Sequence, residues 1–305
     1  MRRPGEKGMA LLLVLVLLAL LSTLLADWAF SSLVELRQAE TFRDGSRAYY
    51  LARGGVQVGR MLLQEDRNAY DSLDESWALG IPGYPVGEGA TVTIAIEDLD
   101  GRLDLNRIVD ASGENPAPYR ERLRRLLDQL GETEAETLGD ALLDWIDRND
   151  ASTPGGAESS YYQGLTPPYR AHNAPLDTLD ELLLVKGFTP ELFARLAPFV
   201  TIHNGGRLNL NTASPEVLLC WDADMSADVA ARLLEGRRAA PFKTLEAARD
   251  LLGIEVFSGL NRNLDLAVAS ASYRITVTAL VNDGSRRSEA LVDKSGDRIL
   301  ALKVY

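Results

Sequence analysis

The stretch Lys7-Gly-Met-Ala-Leu-Leu-Leu-Val-Leu-Val-Leu-Leu-Ala-Leu-Leu-Ser-Thr-Leu-Leu-Ala26 decides how the rest of the chain is placed. From Met9 to Leu21 every residue is apolar, and only Ser22 and Thr23 interrupt before Asp27. A helix over residues 9–26 covers about 27 Å at about 1.5 Å per residue, close to the thickness of a bilayer core. Arg2, Arg3 and Lys7 lie on its N-terminal side, which places that end in the cytoplasm. A secretory signal peptide has a shorter apolar run that ends in small residues. Here the run is long and stops at Ala26-Asp27-Trp28, a poor cleavage site. A single-pass anchor is what the residues support, with or without removal of the basic leader.

Beyond Asp27, Leu33, Leu36, Phe42, Tyr49, Ala52, Val56 and Leu63 recur at helical spacing, so the helix continues to about Glu65. Its far half should pack on a sheet, and Gly54-Gly55 is expected to loosen or kink it. Six glycines and prolines between Gly80 and Gly89 mark the segment from Asp66 to Ala90 as a loop. Thr91-Val-Thr-Ile-Ala-Ile-Glu97 alternates as a half-buried strand. After the turn at Asp100-Gly101, residues 102–105 read as its hairpin partner. Strand patterns return at residues 273–280, 289–292 and 299–304, with a turn at Asp283-Gly284. The middle reads as helices, at residues 119–130 and 134–146. Thr178-Leu-Asp-Glu181 is a capping box, and Thr189-Pro190 and Ser214-Pro215 are N-caps. Strands on both sides of a helical block predict an α+β fold. A long N-terminal helix packs on an antiparallel sheet, and an all-helical domain is inserted. The divisions are 1–8 for the leader, 9–26 for the span, 66–115 and 266–305 for the sheet domain, and 116–265 for the insertion. A short echo, Gly101-Arg-Leu-Asp-Leu-Asn106 and Gly206-Arg-Leu-Asn-Leu-Asn211, occurs at two places around the block.

The formal net charge of -12 argues against nucleic acid as a partner. The single cysteine, Cys220, excludes an intramolecular disulfide and reads as a small buried residue beside Trp221. Between Asp128 and Glu191 there are 13 acidic residues against three basic ones. That density repels itself unless a cation neutralises it. Within it, Asp144 and Asp147 share a helix face, and Asp150 follows in the emerging loop. Carboxylates and amide oxygens on a flexible loop suit Ca²⁺, a hard ion that takes six to eight oxygens. A solvated acidic surface fits the same residues. Zinc does not fit, because the two histidines, His172 and His203, and Cys220 are scattered.

Residues 208–218 with Arg237-Arg238 and Pro241-Phe-Lys-Thr-Leu245 resemble the helix-hairpin-helix of DNA-uptake and repair proteins. Such hairpins bind phosphate through a Gly-rich turn, and here that turn reads Trp221-Asp222-Ala223-Asp224-Met225. Six basic residues face six acidic ones over 207–249, so the motif is expected to serve packing and not DNA. No nucleophile–base arrangement or phosphate-cradling glycine motif stands out, so no enzyme activity is expected.

Lys7-Gly8-Met9 before an unbroken Leu/Val run resembles the processing site of type IV pilins and type II secretion pseudopilins. The resemblance implies that a prepilin peptidase cuts between Gly8 and Met9 and that the new N-terminus is methylated. Most of these proteins carry glutamate at mature position five, where this chain has Leu13. That departure resembles the K subunits among type II pseudopilins, as does the helical insertion flanked by the short echo. The resemblance implies a minor pseudopilin in the inner membrane, with its bulk in the periplasm. Expected partners are the other minor pseudopilins, the major pseudopilin fibre and the inner-membrane secretion platform. Leu13 and the bulky insertion imply a place at the fibre tip, where assembly for protein export starts. K-family helical domains bind calcium on a stretch similar to residues 144–173, which implies Asp147, Asp150, Glu158 and Asn173 as ligands.

Mass spectrometry of the membrane-extracted protein is expected to find Met9, methylated, as the mature N-terminus. A mature chain starting at Asp27 or later would show an ordinary signal peptide instead.

Overall fold

The structure, a computed structural model, describes residues 5–113, 115 and 117–305. Arg2 and Arg3 of the basic leader, and Pro116, the expected start of the insertion, lie outside the described residues. Helix α1 (Gly5–Glu65) runs unbroken for 61 residues. Its apolar stretch, with a mean hydropathy of 2.9, is wholly exposed and touches no other part of the chain. Burial begins only at Asp44. Leu33, Leu36 and Phe42 were expected on the packed face, yet they are 53%, 55% and 78% exposed. The helical period is right there, but the sheet does not reach that far.

From Asp44 onward α1 lies across the sheet. After α2 (Ser76–Leu79) come β1 (Ile81–Pro85) and β2 (Ala90–Asp98). The other strands, β7 (Ser272–Val281), β8 (Gly284–Asp293) and β9 (Arg298–Val304), come from the C-terminus and complete an antiparallel sheet of order β1-β2-β7-β8-β9. The expected loop at 66–90 thus contains a strand. Pro82 and Pro85 lack an N–H to donate, which confines β1 to the sheet edge and explains why it read as a loop. Alternation puts Val92, Ile94, Ile96, Ile275, Val277 and Ala279 on the inner face, against Ala48, Ala52, Val56 and Leu63 of α1.

Gly54-Gly55 does not kink the helix. A Cβ at Gly55 would stand 2.5 Å from Val277 Cγ1, and one at Gly59 2.7 Å from Ile275 Cγ2. These glycines let α1 settle directly onto β7. Gly54 faces open space.

The helical block follows β3 (Leu103–Asp104) and a 3-10 turn at Leu105–Arg107. Its elements are α3 (Pro118–Gln129), α4 (Ala135–Ile146), α5 (Ser159–Tyr162), a 3-10 segment Leu179–Leu184, α6 (Pro190–Leu196), β4 (Val200–Thr201), β5 (Leu208–Asn209), α7 (Pro215–Trp221), α8 (Ala227–Ala239), α9 (Leu245–Leu252), α10 (Ile254–Leu260) and β6 (Leu266–Ala267). The chain then returns to the sheet through β7 (Ser272–Val281), β8 (Gly284–Asp293) and β9 (Arg298–Val304). Thr189 and Ser214 cap their helices as expected, and the Thr178 capping box forms, though it opens a 3-10 segment. Residues 102–105 are not the hairpin partner of β2. Leu103 and Asp104 pair in parallel with Val200 and Thr201. Leu103, Leu105, Ile108, Val109, Leu266 and Val268 all belong to the helical core. The insertion therefore begins before residue 116 and ends after residue 265.

The six-residue echo marks a larger duplication. Residues 103–201 and 208–267 share an order of strand, two helices, a helical segment that opens on Thr178-Leu179 or Thr244-Leu245, a last helix and a strand, with the first and last strands paired in parallel; the first copy adds a 3-10 turn and α5. The asparagine that closes each echo does the same work. Asn106 Nδ2 donates to the carbonyls of Leu176 (3.0 Å) and Ile202 (3.1 Å), and its Oδ1 accepts from Leu176 N (2.7 Å). Asn211 Nδ2 donates to Phe242 O (3.0 Å) and Val268 O (3.3 Å), and its Oδ1 accepts from Phe242 N (2.8 Å). Buried Arg122 joins the two copies. It pairs with Asp265, donates to Trp221 O and stacks 3.7 Å from the Trp221 ring.

Alanine at Gly54 and Gly55 should have opposite effects. Gly54→Ala is expected to stabilise the protein by up to about 1 kcal/mol through helix propensity. Gly55→Ala should destabilise it by about 1–3 kcal/mol, because the methyl overpacks against Val277. Chemical denaturation of the detergent-solubilised chain distinguishes them. Equal effects would mean that α1 does not seat on β7 through Gly55.

Candidate metal centre

Helix α4 is apolar along most of its length and carries Asp140 and Asp144 one turn apart. Asp147 follows as the helix cap, in extended backbone. Carboxylates at a helix C-terminus face the negative end of the helix dipole, an unfavourable place unless a cation is near. The chain then loops out and returns with Glu158, the cap residue before α5. Carboxylate oxygens of Asp144, Asp147 and Glu158 lie within 4.8 Å of one another, and all three residues are buried.

Asp144 is held by Thr153 N, at 3.2 and 3.1 Å from its two oxygens, and by Ser152 Oγ at 3.1 Å. Asp147 Oδ1 accepts from Asn149 N at 3.2 Å. Neither oxygen of Glu158 has a hydrogen-bond partner, although the residue is only 3% exposed. Burial, reinforced by the charge of Asp144, pushes the Asp147 carboxyl up to about 6 and that of Glu158 up to about 7.

The other two expected ligands sit differently. Asn173 adopts a left-handed backbone (φ 48°), and its N–H donates to Trp145 O at 2.9 Å. Its Nδ2 reaches Asp150 Oδ1 at 3.1 Å, while its Oδ1 is buried without a donor. Asp150 is exposed, carries that Asn173 contact, and stands apart from the three-carboxylate group. Asp144 completes the group; its place beside Asp147 on the helix was the signal for it. Gly156 could not be found from sequence as a site residue. A Cβ there would collide with Asp144 Oδ2.

Buried acceptors without donors are costly. Three carboxylates, that of Glu158 orphaned at both oxygens, form an all-oxygen set that fits a hard cation, and Asn173 Oδ1 is likewise buried without a donor. A second group, Asp66, Asp71 and Glu75, is equally close-set but carries its own cation. Lys294 Nζ lies 2.7 Å from Asp66 and 2.6 Å from Asp71. Glu75 is occupied by Ser72 N and Trp77 Nε1.

Family models described as type II secretion system (T2SS), protein K match residues 101–205 and 208–269, one on each half of the duplication. The type II secretion system protein K of Aeromonas hydrophila is 32% identical, over 99% of this chain and 96% of its own. The chain belongs to the type II secretion system protein K family. Protein K of Pseudomonas aeruginosa is also 32% identical, over 71% of this chain and 68% of its own. A chain in the crystal structure of the GspK-GspI-GspJ complex from enterotoxigenic Escherichia coli superposes with a TM-score of 0.73. It is 17% identical, with 88% of this chain and 99% of that chain covered. The chain is a minor pseudopilin, a structural part of a secretion system and not a member of a known enzyme family. Among the described residues, α1 is the one helix long and apolar enough to cross a membrane, as an anchor of such a component would.

The metal-stripped protein should become more stable as pH falls from about 8 to about 5. Folded Asp147 and Glu158 take up protons near 6 and 7, whereas unfolded carboxylates do so only near ~4. The folded state therefore binds more protons within that window, and stability is lost as pH rises through it. Glu158→Gln is expected to flatten the dependence. A thermal-melt series in chelator checks this, and an unaltered slope in the variant would remove Glu158 from the cluster.

Proposed function

We propose that this protein caps the tip of the pseudopilus and initiates its assembly, with a calcium-stabilised helical block as the cap. The observation that carries the reading is where the block is attached. Asp44 and Gly45, early in the packed half of α1, lie against the β7–β8 turn at Gly284. The helical block joins at the opposite end of the sheet, where α1 finishes. There Asp98 pairs with Tyr273, and Lys294 reaches Asp66 just beyond the helix. The block thus stands on the side away from the membrane anchor, where a subunit stacked above would have to sit.

Leu13 supports the same position. A glutamate at mature position five would be buried without its partner amine in a subunit that has no neighbour above. The related GspK in complex with GspI and GspJ supports other minor pseudopilins as immediate partners. The major pseudopilin fibre lies below, on the inner-membrane platform. Prepilin peptidase removes the leader after Gly8, leaving Met9 at the start of the span. The N-terminus lies in the cytoplasm and the folded part in the periplasm, where the fibre drives folded proteins across the outer membrane.

Calcium is the cation best suited to the oxygens of Asp144, Asp147, Glu158 and Asn173, with Asp150 at the rim. When bound, it neutralises charge that the folded block otherwise holds unpaired, and so stabilises the folded state.

Cysteine crosslinking in native membranes tests the position. Phe42→Cys on α1 is expected to capture neighbouring pseudopilins, and Ile254→Cys on α10 to capture no major subunit. Recovery of major subunits both above and below this protein would rule out the tip. In the same preparations the melting temperature should rise with Ca²⁺ and fall with chelator. No change in either direction would overturn the calcium reading.

A further inference from the structure

The segment 152–156 passes over α4 as a strap. On one side it is tied to the helix. Gly155 N donates to Asp140 Oδ2 at 3.1 Å, and Thr153 N and Ser152 Oγ donate to Asp144. On the other side the carbonyls of Gly155 and Gly156 are both taken by Lys186 Nζ, at 3.1 and 3.0 Å. Lys186 arrives from outside the loop, after the 3-10 segment. Its own N–H donates to the Tyr162 hydroxyl at 3.2 Å, and its Nζ lies 5.3 Å from the centre of the Tyr161 ring. The next residue, Gly187, is in left-handed backbone (φ 86°), and a Cβ there would stand 2.8 Å from Leu138 Cδ2. Lys186 is therefore seated close against α4.

Glu158 lies between the two places that Lys186 grips: Gly155-Gly156 before it, and Tyr161-Tyr162 after it. We propose that Lys186 is the positioning residue of the metal centre, fixing the strap and α5 so that Glu158 faces Asp144 and Asp147 before the cation arrives. This rests on the calcium reading above. The role is distinct from simple charge balance. A lysine that only offset the acids would oppose the incoming cation, and its loss would tighten binding. A lysine that holds the cage preformed would weaken binding when lost, because the cation would then have to order the loop itself.

The two roles predict opposite signs. The full chain, solubilised in detergent and stripped of metal, is titrated with Ca²⁺ by calorimetry and with Tb³⁺ by luminescence. Lys186→Met keeps the aliphatic stem and removes donors and charge, and is expected to weaken binding by about 10–100-fold. Lys186→Gln removes the charge but keeps an N–H donor, and should fall between Met and the native protein. Melting in chelator is compared in parallel, and the Met variant should stay close to the native midpoint. If it does not, the Gln variant decides by its sign. Binding as tight as native, or tighter, in both variants would overturn the role of Lys186. Absence of Ca²⁺ binding by the native protein would overturn the calcium reading instead.

Discussion

The pairing of Asp98 with Tyr273 is the constraint on which the architecture depends. The chain leaves the sheet after Asp98 and re-enters it at Ser272, on the adjacent antiparallel strand. Exit and entry are neighbours, so a large helical block can hang from the sheet without disturbing its register. The junction is fastened by carboxylates taken out of water. Asp98 accepts from Asn209 Nδ2 (3.2 Å), from the hydroxyls of Thr212 and Ser270, and from Asp100 N (2.8 Å). Asp100 accepts from Gly205 N and Ala271 N, and Asp71 accepts from Ser270 N. Burial and the neighbouring Asp100 push the Asp98 carboxyl up to about 7. A buried acid is tolerable only with its lone pairs used. Here the donors come from the second half of the duplication, from Gly205 between the halves and from Ser270 and Ala271 leading into the return strand, so the same bonds that satisfy the acids lock the two domains together.

Elements whose pattern is local were legible in the sequence. The period of α1, the alternation of β2 and β7 and the caps at Thr189 and Ser214 all depend on near neighbours in the chain. What escaped depends on distant ones. β3 was misassigned because its partner, Val200-Thr201, lies far along the chain and pairs in parallel. β1 was hidden by prolines that only an edge strand accepts. Gly54-Gly55 read as a helix weakness because sequence does not show that Gly55 meets Val277. The outer half of the apolar face of α1, around Leu33 and Phe42, was read correctly as helical but assigned to a sheet that stops short of it.

The candidate metal centre divides along the same line. Asp144 and Asp147 follow from helix geometry, since residues three apart share a face. Glu158 could only be selected by family likeness, because the fold closes the loop that brings it back. The structure adds what composition lacked: two carboxylate oxygens buried with no donor. Asp150 looked as good in sequence as Asp147. It differs because it lies past the helix end and in solvent, where its carboxylate is free to hydrate and to hold Asn173. The contrast with Asp66, Asp71 and Glu75 is equally physical. A close-set acidic group is no sign of a metal where Lys294 already stands inside it.

The duplication gives an internal control for that loop. In the second copy α8 is followed almost directly by Phe242, which closes onto Asn211. In the first copy α4 is followed by the whole acidic excursion before Leu176 closes onto Asn106 in the same way. The latch is unchanged, so the unit folds with or without the excursion. Long connections without regular structure are uncommon in compact domains and need something to order them. This one carries one short helix, α5, and the aromatic stack of Trp145, Tyr162 and Tyr169 beneath it. Above that stack the strap has small and polar residues with little apolar surface to bury. Its order must then come from electrostatics. Lys186 supplies part of it from outside the loop, through the carbonyls of Gly155 and Gly156. A segment that the fold can omit, and that holds buried charge unpaired, costs stability to the unit that carries it, so its reason lies outside the folding of that unit.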